Sequence, residues 1–192
     1  MKSAGGHRED VRSDNFLMDT DMFGLGETSL EQDNKVDYNG YSGYFANFGT
    51  GKGVAGFTKI DLTQPPETVS SKTYSAIQFK TDQFHIIFLY LSSNYNKEEL
   101  FQLLDMWIEG DVPTAVIGDV NENLGIFKKR PLAKKMLSLG FEQLIKEPTC
   151  QTGSIIDHLY VNDAMKGKGI STDTNAAYYS DHDIISLYIS KE

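Results

Sequence analysis

Apolar positions follow two rhythms along this chain. One is helical: Asn96 to Ile108 sets Leu100, Leu103, Leu104, Trp107 and Ile108 on one stripe. Asn96 can cap this helix, with Glu99 three residues on as a capping-box partner. Pro131 suits the first turn of a second helix that Gly140 ends, with Leu132, Ala133, Met136 and Leu137 as its inner face. His7 to about Asp19 is polar and predicts a further helix, with a weak apolar face at Val11 and Met18. The other rhythm is extended. Met22-Phe23-Gly24-Leu25 predicts a short buried strand ending at Glu27. Gly53 to Thr58, Thr73 to Thr81 and Phe84 to Leu91 predict further strands, the last two paired across the polar joint Thr81-Asp82-Gln83. Thr114-Ala115-Val116-Ile117 is continuously apolar and reads as a strand buried on both faces. Phe141 to Ile145, Ile155 to Val161 and Ile184 to Ile189 complete the strands. Asn39-Gly40, between the aromatics of Asp37 to Tyr41, signals a hairpin turn, and Pro65-Pro66 a loop. With no internal repeat and no linker, many strands and few helices predict an α+β domain whose helices cover packed sheets.

Composition narrows the class. The 192 residues fit one domain spanning 1–192, with residues 1–6 expected to be disordered. A 40% hydrophobic content supports one sizeable core. No apolar run reaches membrane-spanning length, and Met1-Lys2-Ser3-Ala4-Gly5-Gly6 offers no signal peptide, so neither a membrane nor secretion is expected. The single cysteine, Cys150, rules out an internal disulfide and suits an intracellular protein. A net charge of -9 weighs against indiscriminate DNA binding, which needs Lys and Arg to replace counterions. It does not weigh against a metal site, whose ligands are carboxylates. The cluster Lys128, Lys129, Arg130, Lys134 and Lys135 reads first as a solvated helix face.

Candidate chemistry gathers at strand ends. Gly51-Lys52-Gly53-Val54-Ala55-Gly56 has the spacing of a dinucleotide fingerprint, but strand rather than helix follows it, so it reads as a turn. Gly118-Asp119-Val120-Asn121 directly follows a buried strand. Residues two apart on extended chain share a side, so Asp119 and Asn121 should both leave the strand's end together. In Ile155-Ile156-Asp157-His158-Leu159-Tyr160 a carboxylate sits inside an apolar strand, where it needs a partner. His158 alternates to the other face and reads as structural or edge. Tyr179-Ser180-Asp181-His182-Asp183 precedes the last strand, and Asp157 is a natural partner for His182, holding the imidazole protonated. Glu27 ends a strand in the same way. Converging at one sheet edge, these groups would form an oxygen-rich pocket suited to Mg²⁺ or Mn²⁺.

In this order the motifs resemble the endonuclease/exonuclease/phosphatase superfamily, which includes abasic-site endonucleases and the endonuclease domains of non-LTR retrotransposons. The carrying segments are Gly-Glu-Thr-Ser-Leu at 26–30, Gly-Asp-Val-Asn at 118–121, Ile-Asp-His-Leu-Tyr-Val at 156–161 and Ser-Asp-His-Asp at 180–183. Glu147-Pro148-Thr149 adds likeness to the retroelement members. The resemblance implies a four-layer α/β sandwich of two packed mixed sheets with outer helices, and Mg²⁺- or Mn²⁺-dependent hydrolysis of a phosphodiester. It implies that Glu27 ligates the metal with Asp181 sharing that role. Asp119 would orient or deprotonate the attacking water, and Asn121 would position it or the phosphate. Asp157 would hold His182, which donates to the phosphate as charge builds. Tyr90 matches a family tyrosine near the phosphate, with Asn94 nearby. DNA is the implied partner, with no obligate protein partner, and the nucleus the implied location.

The chain departs from the pattern at its start. The family opens with an apolar strand bearing a metal-site Asn, between the Glu strand and the closing strand, and Met1 to His7 cannot serve as it. An N-terminally truncated member lacking that strand is therefore expected, with unpaired backbone and a hydrophobic gap in the sheet. Cys150 stands where retroelement relatives often have Arg, and Val120 where Phe is usual. Two further readings stay open: an impaired remnant or binding module of the same fold, and a phosphatase or phosphodiesterase acting on a non-nucleic substrate such as phospholipids or inositol phosphates.

Overall fold

The computed structural model describes residues 8–28, 38, 40–48, 52–126 and 130–190. Its elements open with α1 (Arg8–Ser13), α2 (Asn15–Asp19), β1 (Met22–Gly26), β2 (Ser42–Phe48) and β3 (Lys52–Thr58). Then come β4 (Glu67–Ser70), β5 (Tyr74–Lys80), β6 (His85–Leu91), α3 (Lys97–Trp107), β7 (Thr114–Asp119) and α4 (Pro131–Ser138). The last are β8 (Glu142–Gln143), β9 (Asp157–Val161), α5 (Asp163–Lys166), β10 (Ile170–Asn175) and β11 (Ile184–Ile189). The longest apolar runs form a six-stranded mixed sheet in the order β4-β5-β6-β7-β9-β8, parallel only between β6 and β7. The layer opposite is antiparallel throughout and comes in two pieces, β1-β3-β2 and β10-β11.

Alternation sorts the side chains of the large sheet between two cores. Ile87, Leu89, Leu91, Val116 and Tyr160 face α3 and α4, meeting Leu100, Leu104, Trp107 and Leu132. Ile86, Phe88, Tyr90, Ala115 and Leu159 face the opposite layer. A third core packs Val11 and Leu17 of the N-terminal helices on Phe23 and Phe57. Helices, sheet, split sheet and helices therefore make four layers, as expected, although only one of the two sheets is mixed. Among the described residues no helix is long and apolar enough to cross a membrane.

Local differences from the sequence reading have physical causes. The single helix expected to Asp19 breaks at Asp14, whose carboxylate accepts from Phe16 N and Leu17 N and starts α2. Leu17, not Met18, is then the buried residue. Asn96 does cap α3 through Glu99 N at 3.4 Å, but Glu99 turns its carboxylate to Ser71 Oγ at 2.9 Å, so the reciprocal half of the box does not form. Leu137 is 73% exposed and leaves the inner face of α4 to Leu132 and Met136. Tyr41 N donates to Tyr38 O, and Gly40 leads into β2, while the residues that would form the other arm of the expected hairpin lie outside the described residues. The true hairpin pairs β2 with β3. The strand expected from Phe141 to Ile145 shrinks to β8, and β2, β4, α5 and β10 were not foreseen. Residues 1–7, Ser29, Leu30, Asp37, Asn39, Gly51, Lys128 and Lys129, for which the sequence also sets expectations, lie outside the described residues.

Candidate active site

Three neighbouring strands of the large sheet end side by side. Their register sets Tyr90 of β6 beside Asp119 of β7, and Asp119 beside Asp157 of β9. Gly118 allows this approach: its φ is +153°, and a Cβ there would stand 1.9 Å from the Leu89 carbonyl oxygen. No other residue fits. Just past it, Asp119 Oδ1 accepts from Asn121 N at 3.0 Å, an Asx turn that closes the strand. Asp119 is 8% exposed. Burial first, then the neighbouring Asp157, push its carboxyl up to about 7, against the opposing pull of His182.

The split layer brings two groups to the same place. Glu27 sits at the end of β1 with φ +49° and accepts a 2.7 Å hydrogen bond from Tyr90 Oη. Burial, and after it Glu27, raises the Tyr90 hydroxyl far above its ordinary value, so it remains a donor. Phe48 stacks on the Tyr90 ring at 5.8 Å. His182 arrives from the loop before β11, its Nδ1 lying 2.9 and 3.1 Å from the two Asp157 oxygens. That hydrogen bond pushes the imidazole up to about 9 against the effect of burial, so His182 is protonated at neutral pH.

Thr149 ties the two sides together. Its Oγ1 accepts from Asp157 N at 3.1 Å and its carbonyl from Asp183 N at 2.8 Å. It therefore locates both the carboxylate and the loop that carries the imidazole. Next to it, Cys150 forms an isolated bridge to His182. Burial pushes the Cys150 thiol up, but hydrogen bonds from Thr152 and Ser154 outweigh it, with help from His182, and leave the thiol below its ordinary value.

Glu27, Asp119, Asp157, Asp181 and His182 line one cavity of about 1090 Å³. Ligand atoms of Asp119, Asp157 and His182 lie within 4.8 Å of one another, which fits a cation by distance. Chemistry divides that trio. A protonated imidazole cannot ligate, and His182 holds its proton against Asp157. The carboxylates can ligate, and the nearby His182 offsets only part of the burial that raises Asp119. Glu27 and Asp181 fall outside the trio, with Asp181 exposed at the rim. The carboxylates lining this cavity, Glu27 and Asp181 among them, are hard oxygen donors of the kind a divalent cation takes.

Of the residues expected here, Glu27, Tyr90, Asp119, Asp157, Asp181 and His182 do meet. Asn121 does not line the cavity. The strand stops at Asp119, Val120 turns into the core, and Asn121 takes φ +51° with its amide donating to Leu91 O at 2.9 Å. Alternation could not hold across that turn. Asn94 is exposed and bonded to Ser92 Oγ at 3.0 Å. His158 is structural but not at an edge: fully buried, it sits 2.7 Å from Tyr160 Oη and 2.8 Å from the Glu122 carbonyl, and burial pushes it down to about 4. Glu122 was missed altogether. Its carboxylate accepts from Leu132 N and Ala133 N at the start of α4 and from Tyr95 Oη, contacts with no local sequence signal.

No protein-family model and no curated protein sequence matches the chain. Solved structures do. An AP endonuclease from Archaeoglobus fulgidus superposes with a TM-score of 0.78 at 15% identity, covering 98% of this chain and 96% of that one. The 3′ phosphatase NExo from Neisseria, bound to a product DNA hairpin, gives 0.76 at 17% identity with the same coverage, 98% and 96%. The endonuclease domain of TRAS1, a telomere-specific non-LTR retrotransposon, gives 0.68 at 12% identity, covering 98% and 93%. The chain thus has the fold of the endonuclease/exonuclease/phosphatase proteins.

Proposed function

We propose that the chain hydrolyses phosphodiesters with a divalent metal, acting on DNA as a retroelement-type endonuclease. The observation that carries this reading is the protonated His182–Asp157 pair set against the buried Asp119 carboxylate, with Glu27 across the same cavity. Glu27, with Asp181 at the rim, would hold Mg²⁺ or Mn²⁺, which when bound supplies Lewis-acid polarisation of the phosphate. The rest is the work of the chain's own groups. His182 gives Nδ1–H to Asp157, which leaves Nε2–H to donate to a phosphate oxygen as charge builds there. Asp119, poised near neutrality, accepts a hydrogen bond from the attacking water and orients it. Tyr90 fixes Glu27 through its hydroxyl, and Asn121 holds Asp119 through its backbone N–H. Action on chromosomal DNA would place the protein in the nucleus.

The test is nicking of supercoiled plasmid. Wild type should nick in Mg²⁺ and stop in chelator, and His182→Ala or Asp157→Ala should cut the rate by roughly two to four orders of magnitude. Equal nicking by wild type and both variants would sink the proposal. A second reading, a binding module of the same fold without turnover, draws on β1 and β11, each of which has one partner strand, β3 and β10, among the described residues. It predicts DNA retention in a filter assay with no nicking at any metal concentration.

A further inference from the structure

Two buried polar residues beside the catalytic carboxylates have no part in the chemistry above. Glu122 lies three residues past Asp119 and is 6% exposed, and His158 lies one past Asp157 and is fully buried. They meet. His158 Nε2 stands 2.8 Å from the Glu122 carbonyl oxygen and 3.3 Å from that of Ile155. Carbonyls only accept, so Nε2 carries the ring proton. Nδ1 is then the acceptor and takes the Tyr160 hydroxyl at 2.7 Å. Burial pushes the imidazole down to about 4, so at neutral pH the ring is uncharged and this tautomer holds. The far end of Glu122 is gripped as well. Its carboxylate accepts from Leu132 N at 3.0 Å and Ala133 N at 3.2 Å in the first turn of α4, and from Tyr95 Oη at 3.2 Å. Directly before Glu122, Asn121 has φ +51° and gives its N–H to Asp119 Oδ1. The turn that aims Asp119 therefore hangs between β7 and a residue clamped at both carbonyl and carboxylate. Val120 N and Leu124 N donate to Ile156 O and Ile155 O, both at 3.0 Å. These bonds zip the ends of the turn to the segment before Asp157, and His158 takes its middle.

We propose that Glu122 and His158 are positioning residues, which together fix the carboxylate of Asp119 and its spacing from Asp157. The kinetic consequence rests on the endonuclease reading, whereas the geometric one does not. Without the His158 donor the inward Glu122 carbonyl is buried with no bond, and it relieves that cost by turning outward. Asn121 N moves with it and releases Oδ1, which frees Asp119 to rotate away from the attacking water. A misplacement on the order of 1 Å at such a group costs up to about a hundredfold in rate. Binding of the DNA is untouched, because neither Glu122 nor His158 lines the cavity.

The test compares His158→Phe, which fills the space but cannot donate, with His158→Gln, whose amide offers both a donor and an acceptor. Plasmid nicking and amide exchange are both read. His158→Phe should lower kcat by about tenfold to a hundredfold with KM for plasmid within about twofold of wild type, and His158→Gln should recover most of that loss. The Asn121 amide should exchange at least about tenfold faster in His158→Phe and return toward wild type in His158→Gln. Ring NMR of the wild type should show His158 protonated at Nε2. Unchanged kcat in His158→Phe would overturn the proposal, as would an equal loss in both variants, since the donor would then not matter. A proton on Nδ1 would overturn it too. If His158→Phe does not fold, Glu122→Gln takes its place, keeping only one of the two accepting oxygens. A kcat about threefold to tenfold lower at unchanged KM then supports the clamp, and an unchanged kcat overturns it. A wild type that does not nick at all counts against the endonuclease reading alone. Exchange at Asn121 still decides the positioning role in that case, and protection equal in wild type and variant overturns it.

Discussion

β6 of the large sheet and β11 of the split layer opposite it are similarly apolar strands, yet they are buried to different degrees. Every residue of β6 is buried, whereas no residue of β11 is. The difference lies in the neighbours. β6 has β5 and β7 beside it and a core on each face, while β11 pairs only with β10 among the described residues and lines the cavity. The candidate site straddles both regions. Asp119, Asp157 and Tyr90 come from the closed sheet, and Glu27 and His182 from the open layer. Preorganisation is thus complete on one side of the site and rests on a few ties, Tyr90 to Glu27 and Asp157 to His182, on the other.

The largest contrast is at glycine. Gly118→Ala should cost more than about 3 kcal/mol and leave little folded protein, because the added carbon meets the Leu89 carbonyl in the closed sheet. Gly40→Ala, also at positive φ but with nothing within 4 Å, should cost only about 1 kcal/mol by urea unfolding. A similar loss for both would mean the close β6–β7 approach is not what Gly118 serves. Next comes truncation of apolar side chains. Leu104→Ala, fully buried against the closed sheet, should cost about 2–5 kcal/mol, and Ile185→Ala, half-buried on the open wall, under about 1.5 kcal/mol. Equal costs would show that β11 is packed as firmly as β6.

A smaller effect separates the halves by pH. His182 is raised from 6.5 to about 9, so its bond to Asp157 contributes stability that is full below pH 6.5 and lost as pH rises through 9. Wild type should lose stability across that window, and Asp157→Asn should not. The raised Asp119 acts at lower pH, since its burial cost sets in between 3.8 and about 7 and is complete above that. Denaturation midpoints at pH 6 and pH 9 for both proteins decide the matter. Parallel declines would place the ionisation elsewhere.

Where one local rule governed, the sequence was readable. The α3 stripe and the continuous runs of β6 and β7 carry their own period and found their places. β10, Ile-Ser-Thr-Asp-Thr-Asn, is polar and largely exposed, so only its pairing with β11 makes it a strand. β2 was hidden for a related reason: the Asn-Gly turn before it drew attention from the real hairpin after it. At the site, a carboxylate inside an apolar strand gave itself away at Asp157, Asp119 stood out by its place at a strand end, and the pairing of Asp157 with His182 followed from the cost of burial. Asn121 misled because alternation was carried one step past the end of the strand. Thr149 and Glu122 act through backbone groups on distant segments, which no spacing along the chain reveals.

One site is shared between a closed and an open half, and amide exchange of the isolated monomer tests this most directly. Amides of Ile86–Leu91 and Ala115–Gly118 should exchange only through global unfolding. Those of Met22–Gly26 and Ile184–Ile189 that find no backbone acceptor among the described residues should exchange faster by roughly a hundredfold or more. Uniformly slow exchange through all four segments would contradict the account.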